Sequence, residues 1–234
     1  MSNEPFARRR AELMNMIGEG AIAVLPTSPE RRRNRDVFHP YRPDSDFYYL
    51  TGFAEPEAVA VLVPGREHGE YLLFCRERDP KKETWDGPIV GQDRAVSDYG
   101  ADDAFPIEDI DDILPGLLEG REKLYYTMGT DAEFDHRVIS WVSHVRERAR
   151  AGVRAPGEYV SLEHLLHEMR VIKERDEVDI MRRAAQVSAR AHQRAMEVCR
   201  PGMAEYEIEA EFMAEFRRYN GWPAYPPIVG GGAN

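Results

Sequence analysis

Apolar and polar positions alternate between two regimes along the chain. In the first half, short apolar runs are broken by turns. In the last third, apolar residues recur at three- and four-residue steps. Residues 5–17 predict a helix, with Phe6, Leu13, Met14 and Ile17 on one face and the arginines turned outward. Ala21-Ile22-Ala23-Val24-Leu25 predicts a buried strand closed by Pro26, and residues 27–45 an extended polar loop. The aromatic run Asp46 to Gly52 predicts a strand. Residues 58–63 and 70–75 predict a hairpin. No period persists from Arg76 to Phe105, which predicts a long irregular segment of the kind that often carries function. A weak helix over 108–118, limited by Pro115-Gly116, then precedes a strand over 123–127. Phe134, Val138, Ile139, Trp141, Val142 and Val145 mark a longer helix.

Beyond the linker Ala155-Pro156-Gly157 the helical period dominates. Leu162, Leu165, Leu166 and Met169 define a short helix. Residues 176–199 give the strongest pattern of all, with Glu174 at the N-cap and Glu177 placed to reach back to the cap N–H. Ile208, Phe212, Phe216 and Tyr219 stripe a second helix, and Ile228-Val229 begins a strand. These helices have apolar faces and little chain left to pack against. The expected fold class is therefore α/β: a mixed sheet with flanking helices over residues 1–170, then an incomplete second domain over 171–234.

Charge narrows the function. Forty-two acidic against thirty-one basic residues give a net charge of −11, which argues against a nucleic-acid surface. Arg8-Arg9-Arg10 and Arg31-Arg32-Arg33 are the basic runs, expected on a solvated helix face and a loop. No apolar stretch approaches membrane-spanning length, so no membrane partner and a cytoplasmic location are expected. Cys75 and Cys199 are expected as buried free thiols. His164 and His167 lie in an HxxHE order, which is neither of the helix orders that place two imidazoles and a base on one zinc ion. Asp102-Asp103 and Asp111-Asp112 are expected as solvated caps.

Four stretches carry a resemblance. They are Tyr41 to Phe53 with Glu55-Pro56-Glu57-Ala58; His167-Glu168-Met169-Arg170 through Lys173 and Glu177; Cys199 to Met203 with Glu205 and Glu209; and Ile228-Val229-Gly230-Gly231-Gly232-Ala233-Asn234. In this order the chain resembles the aminopeptidase P (Xaa-Pro aminopeptidase) branch of the creatinase, prolidase and methionine-aminopeptidase superfamily. The resemblance implies a creatinase-type N-terminal domain followed by the first helices of a truncated pita-bread catalytic domain. It implies hydrolysis of peptides with proline in the second position, by two divalent metal ions, usually manganese, and a homo-oligomer (dimer or tetramer). The expected ligands, two Asp, a His and two Glu, would follow Asn234. No catalytic residue and no metal ligand is therefore expected here, and this chain alone is expected to bind no metal and to be inactive.

By the same resemblance Trp85 belongs to a loop reaching a neighbouring subunit's active site, Tyr225 edges the substrate cleft, and Arg150 faces substrate. Two departures stand out: Glu174-Arg175 where the family often has Ser-Pro, and Pro226-Pro227 before Ile228 where it often has Asn-Thr. The alternative reading is a non-peptidase relative that uses the fold as a binding module.

Overall fold

The structure, a computed structural model, describes residues 3–232. Ala233 and Asn234, the end of the fourth motif, lie outside the described residues. The chain divides into two compact units, one running to Met169 and the other starting at Arg170.

The first unit is built on a six-stranded mixed sheet. Its strands are β1 (Ala21–Pro26), β4 (Val59–Leu62), β5 (Tyr71–Cys75), β6 (Asp103–Pro106), β7 (Lys123–Tyr125) and β8 (Glu158–Val160), in the order β6-β5-β4-β1-β7-β8. β1, β4 and β5 pair antiparallel, whereas β1–β7, β7–β8 and β5–β6 pair parallel. A separate exposed ribbon joins β2 (Arg32–Asn34) to β3 (Val37–Phe38).

Because side chains alternate across a strand, β1 feeds both faces. Ala21, Ala23 and Leu25 join one core with Leu13 of α1 (Glu4–Ile17), Phe47 and Leu50 of α2 (Ser45–Thr51), Ala95 of α4 (Gly91–Tyr99) and Leu166 of α7 (Glu163–Val171). Ile22 and Val24 join the other core. There they meet Ile110, Leu114 and Leu118 of α5 (Ile110–Leu118) and the Phe134–Val145 stripe of α6 (Ala132–Glu147). Helices cover both faces, as the pattern led one to expect.

Several local expectations are corrected. Asp46 to Gly52 is not a strand but α2. Asp44 caps its start, accepting from the Asp46 and Phe47 amides at 2.9 Å, and Gly52 ends it in the left-handed region at φ 66°. Those two caps outweigh the β-propensity of four aromatic and β-branched residues. Residues 76–105 are not irregular. They form α3 (Pro80–Asp86), α4 and β6. Pro115 does not end α5, because Ile110, Leu114 and Leu118, four apart and all buried, hold the helix through it. Arg9 and Arg10 do not face solvent but are 6% and 4% exposed. Their guanidiniums reach the Tyr49 and Leu50 carbonyls, at 3.2 and 2.9 Å, at the C-terminal end of α2. Arg10 also lies 4.0 Å above the Tyr71 ring.

The second unit contains α8 (Arg175–Val198) and α9 (Glu205–Arg218), packed on each other. At the start of α8 the Glu174 amide donates to Glu177 at 3.0 Å, the expected return bond. His192 meets Phe212 edge to face at 4.9 Å, and Arg194 pairs with Glu211 at 2.8 Å. Among the described residues of this unit, Ala191 and Glu215 are the buried ones. Ile228 forms no strand and is 91% exposed, since no described strand of this unit offers it a partner. Cys199 is exposed rather than buried, whereas Cys75 is buried as expected.

Candidate functional site

Each unit has a concavity of ligand size, and the first unit has a further one against α5 and α6, lined by Asp111, Arg137, Trp141 and His144 among others. The first lies where β1 and β7 end. These strands are parallel neighbours, but their connections part: β1 leads through α2 on one face, and β7 through α6 on the other. A crevice of about 460 Å³ opens at their carboxyl ends.

Its polar wall is assembled from distant parts of the chain. Thr27, just past β1, shares a 2.7 Å hydrogen bond with the Tyr41 hydroxyl, which also donates to the Glu55 carbonyl at 3.4 Å. Burial, ahead of the neighbouring charges, raises the Tyr41 pKa, so this hydroxyl stays protonated. Asp44 and Asp131 face the same space but are engaged as helix caps, Asp44 on α2 and Asp131 on α6. Arg31, Arg42, Asp46 and Glu163 complete the charged lining, with Thr127 after β7. His167 stands within 3.9 Å of Asp46 and 3.7 Å of Glu163.

The second concavity is a groove of about 620 Å³ between α8, α9 and the segment that follows them. Phe212, Phe216, Trp222 and Tyr225 give it aromatic walls, with Ile180 and Val187 opposite. Trp222 is held by Arg217, whose guanidinium lies 4.4 Å from its ring centroid. Tyr219 bonds Arg190 through its hydroxyl.

The three residues singled out from sequence fall in separate places. Tyr225 lines the second-unit groove and is 70% exposed. Trp85 lies on α3, a short helix rather than a loop, and is 88% exposed, so its ring has no local core. Arg150 is exposed in a 3-10 turn (Arg148–Ala151) that continues α6. Trp85 and Arg150 are outside the crevice of their own unit. His164 hydrogen-bonds the Ser161 carbonyl locally at 2.7 Å. Asp102 accepts from the Glu70 and Tyr71 amides at 2.8 and 2.9 Å, and Asp111 from Trp141 Nε1 at 2.7 Å, so both are structural ties. Among the described residues, no three His, Cys, Asp or Glu side chains group so as to hold a metal ion. No described helix is long and apolar enough to cross a membrane.

The sequence reading missed the crevice, whose Thr27 and Thr127 lie outside every motif and whose Tyr41 stood only as part of the resemblance. The one signal available was a run of polar residues directly after two predicted strands.

Comparison with known proteins places these features. The description "Aminopeptidase P, N-terminal domain" matches residues 6–126, and "Metallopeptidase family M24" matches residues 179–234. The chain is 40% identical to the Xaa-Pro aminopeptidase of Escherichia coli over 236 aligned residues, covering 100% of this chain and 54% of that protein. It is 28% identical to human Xaa-Pro aminopeptidase 3, covering 99% of this chain and 48% of that one. The solved structure of Pseudomonas aeruginosa aminopeptidase PepP superposes with a TM-score of 0.92 at 58% identity, over 94% of this chain and 50% of that one. A zinc-substituted E. coli aminopeptidase P in complex with product gives 0.90 at 39% identity, with the same coverage. The chain spans about half the length of the curated relatives it matches. With the expected mixed sheet, which has six strands, and matches to both parts, the chain belongs to the aminopeptidase P family and corresponds to its N-terminal portion.

Proposed function

We propose that this chain is the N-terminal half of an Xaa-Pro aminopeptidase, which removes the N-terminal residue of peptides that carry proline in the second position. The observation that supports this best is the 40% identity to the E. coli enzyme along the whole chain. Two divalent metal ions, manganese by family resemblance, belong to that activity. The described residues do not fit such a centre, since they offer no cluster of three ligands.

In this reading the chain's own residues bind and orient. Tyr225, in the apolar groove of the second unit, presents a ring face suited to the flat side of a prolyl residue. Trp85, exposed on α3, reaches the active site of a neighbouring copy in a homo-oligomer. Arg150 offers a guanidinium to a peptide carboxylate. The protein works in the cytoplasm.

The test joins this chain to the sequence downstream of it and measures proline-peptide release from an Ala-Pro-Ala substrate with added manganese. Turnover abolished by a chelator and restored by manganese is the expected result. A well-folded, metal-loaded protein that leaves Xaa-Pro peptides intact would overturn the reading in favour of the binding module.

A further inference from the structure

We propose that the β2–β3 ribbon of one copy, residues 31–39, docks against the start of α5 in a second copy, and that this contact, repeated about a two-fold axis, makes a dimer. Every residue of the ribbon is exposed, and Val37 and Phe38 belong to no core. One further rung, the His39 amide to the Arg31 carbonyl at 2.9 Å, extends the pairing, yet a two-stranded ribbon alone is marginal in water. Arg31, Arg32, Arg33 and Arg35 put four cations in five residues. Elsewhere Arg76, Arg94, Arg137, Arg194 and Arg218 each meet a carboxylate. None of the four ribbon arginines does so among the described residues, and Arg32 lies 5.6 Å from the centroid of the Phe38 ring. Arg35 sits at φ 48°, in the left-handed region where glycine is unstrained, so the turn accepts strain and carries a cation at its tip.

The complementary surface lies on the same unit. Glu108, Asp109, Asp111 and Asp112 put four exposed carboxylates in five residues. Asp111 is taken by Arg137 and Trp141, whereas Glu108, Asp109 and Asp112 have no ion pair among the described residues. Asp111 and Asp112 line the concavity of about 420 Å³ against α5 and α6, with Pro115, Trp141 and Arg137, and with His136 and His144 on its α6 side. Pro115 and Trp141 offer apolar surface to Phe38, and Arg137 is already matched by Asp111. No ion pair joins ribbon and α5 within one copy among the described residues, so the match is open to another copy. Placement suits a two-fold axis. Pro26, Val59, Phe74 and Phe105 are register partners in one row across β1, β4, β5 and β6. β1 therefore leads to the ribbon, and β6 to α5, from the same end of the sheet. Two copies facing each other by that end exchange ribbon for α5 twice, and such reciprocal contacts close into a dimer. A second copy is favoured over a free polyanion because the charges match in number and spacing and because the concavity has an apolar patch for Phe38.

A homo-oligomer is part of the reading above, but assembly through these charges needs neither metal nor turnover. Mass therefore tests it, and failure of the peptidase reading would leave it standing. Sedimentation equilibrium of the 234-residue chain, at low salt and about pH 8, above the ordinary histidine range, is expected to show a dimer by about 100 µM. Arg32→Glu with Arg33→Glu, and separately Glu108→Lys with Asp112→Lys, should each raise the dimer Kd about tenfold or more, and high salt should weaken it too. Mixing the two double variants, or combining all four changes in one chain, should restore the dimer, because each contact again joins opposite charges. Arg33→Lys keeps the charge and admits a zero-length carbodiimide, which should link position 33 to Glu108, Asp109 or Asp112 between isotope-labelled and unlabelled copies. If the lysines disturb α5, that cross-link decides alone. A chain still monomeric at that concentration, a dimer weakened by neither double variant, no recovery on mixing, or cross-links confined to one copy would overturn the proposal. A monomer that holds heparin through the ribbon would also overturn it, in favour of a free polyanion.

Discussion

Arg10 offers the sharpest test of how the first unit holds itself together. Its guanidinium is 4% exposed, donates to the Leu50 carbonyl at 2.9 Å and lies 4.0 Å over the Tyr71 ring. Burial lowers its pKa but leaves it charged at neutral pH, with Tyr71 and Asp102 pulling the other way. Arg10→Met keeps a long apolar stem and removes the charge. A hydrogen bond from a charged donor contributes about 1.5–3 kcal/mol. A desolvated cation–π contact contributes about 2. Against these stands the desolvation of the guanidinium, which methionine no longer has to meet. The net loss should therefore be about 1–3 kcal/mol. For a unit of this size that is a fall in Tm of roughly 3–10 °C. Thermal unfolding of both proteins, supported by urea midpoints at constant m, measures it. Tyr71→Leu and the double variant complete a cycle, with an expected coupling of about 1–2 kcal/mol between ring and cation. Tyr71→Phe keeps the ring face and should keep the coupling. An unchanged Tm for Arg10→Met, or zero coupling with Tyr71, would show that the buried Arg10 is a passenger and that α2 is held by its apolar contacts and Arg9.

Four further outcomes are expected. Trp85→Ala should shift the unfolding of this chain by no more than about 0.5 kcal/mol, because the ring is exposed; in the assembled peptidase it should lower turnover on longer peptides, and calorimetry with peptide kinetics separates the two. Cys199 should be alkylated quickly at pH 8 and Cys75 only on unfolding, as mass spectrometry of the digested protein would reveal. Burial, reinforced by Glu55, pushes the Cys75 thiol up from 9.0 to about 12, so its contribution to stability is complete below about pH 9 and lost as pH rises through 12. Limited trypsin digestion of the chain should cut between Arg170 and Arg218 before it cuts within the sheet, as N-terminal sequencing of the products would show, since the second unit buries so few of its described side chains.

What the sequence disclosed depended on how local the deciding interaction was. β1, the β4–β5 hairpin, α6, α8 and α9 are stated by their own periodicity, and all are present. α2 was misread because Phe47, Tyr48, Tyr49 and Thr51 look like a strand. Asp44 before them and Gly52 after them are cap residues that could have been weighed more heavily. Residues 76–105 were misread because α3, α4 and β6 are too short for a period to show, and β6 pairs as a sheet edge where Pro106 is tolerated. Arg9 and Arg10 could not be placed from sequence, as their partners Tyr49, Leu50 and Tyr71 come from other elements. The crevice was invisible for the same reason. Thr27 and Thr127 become neighbours of one cavity only when β1 and β7 pair.

The motifs that carry the resemblance prove, in the structure, to be mostly architectural. Within Tyr41 to Phe53, Tyr41 ties the strand end to the loop through Thr27, and Asp44 caps α2. Thr51 bridges two backbone groups, donating to the Phe47 carbonyl at 2.7 Å and accepting from the Phe53 amide at 3.0 Å. Gly52 combines a φ of 66° with a neighbour so close that a β-carbon would lie 2.6 Å from the Phe6 ring, so no other residue fits without moving it. Glu177 closes the return bond at the start of α8, and Glu205 accepts from the Gly231 amide at 2.8 Å. Residues with such duties report on the backbone they hold, and a shared backbone hosts more than one chemistry. The match therefore establishes family and fold. Activity has to be argued from side chains with no architectural duty among the described residues, of which the exposed Trp85, Arg150 and Tyr225 are the three to mutate first.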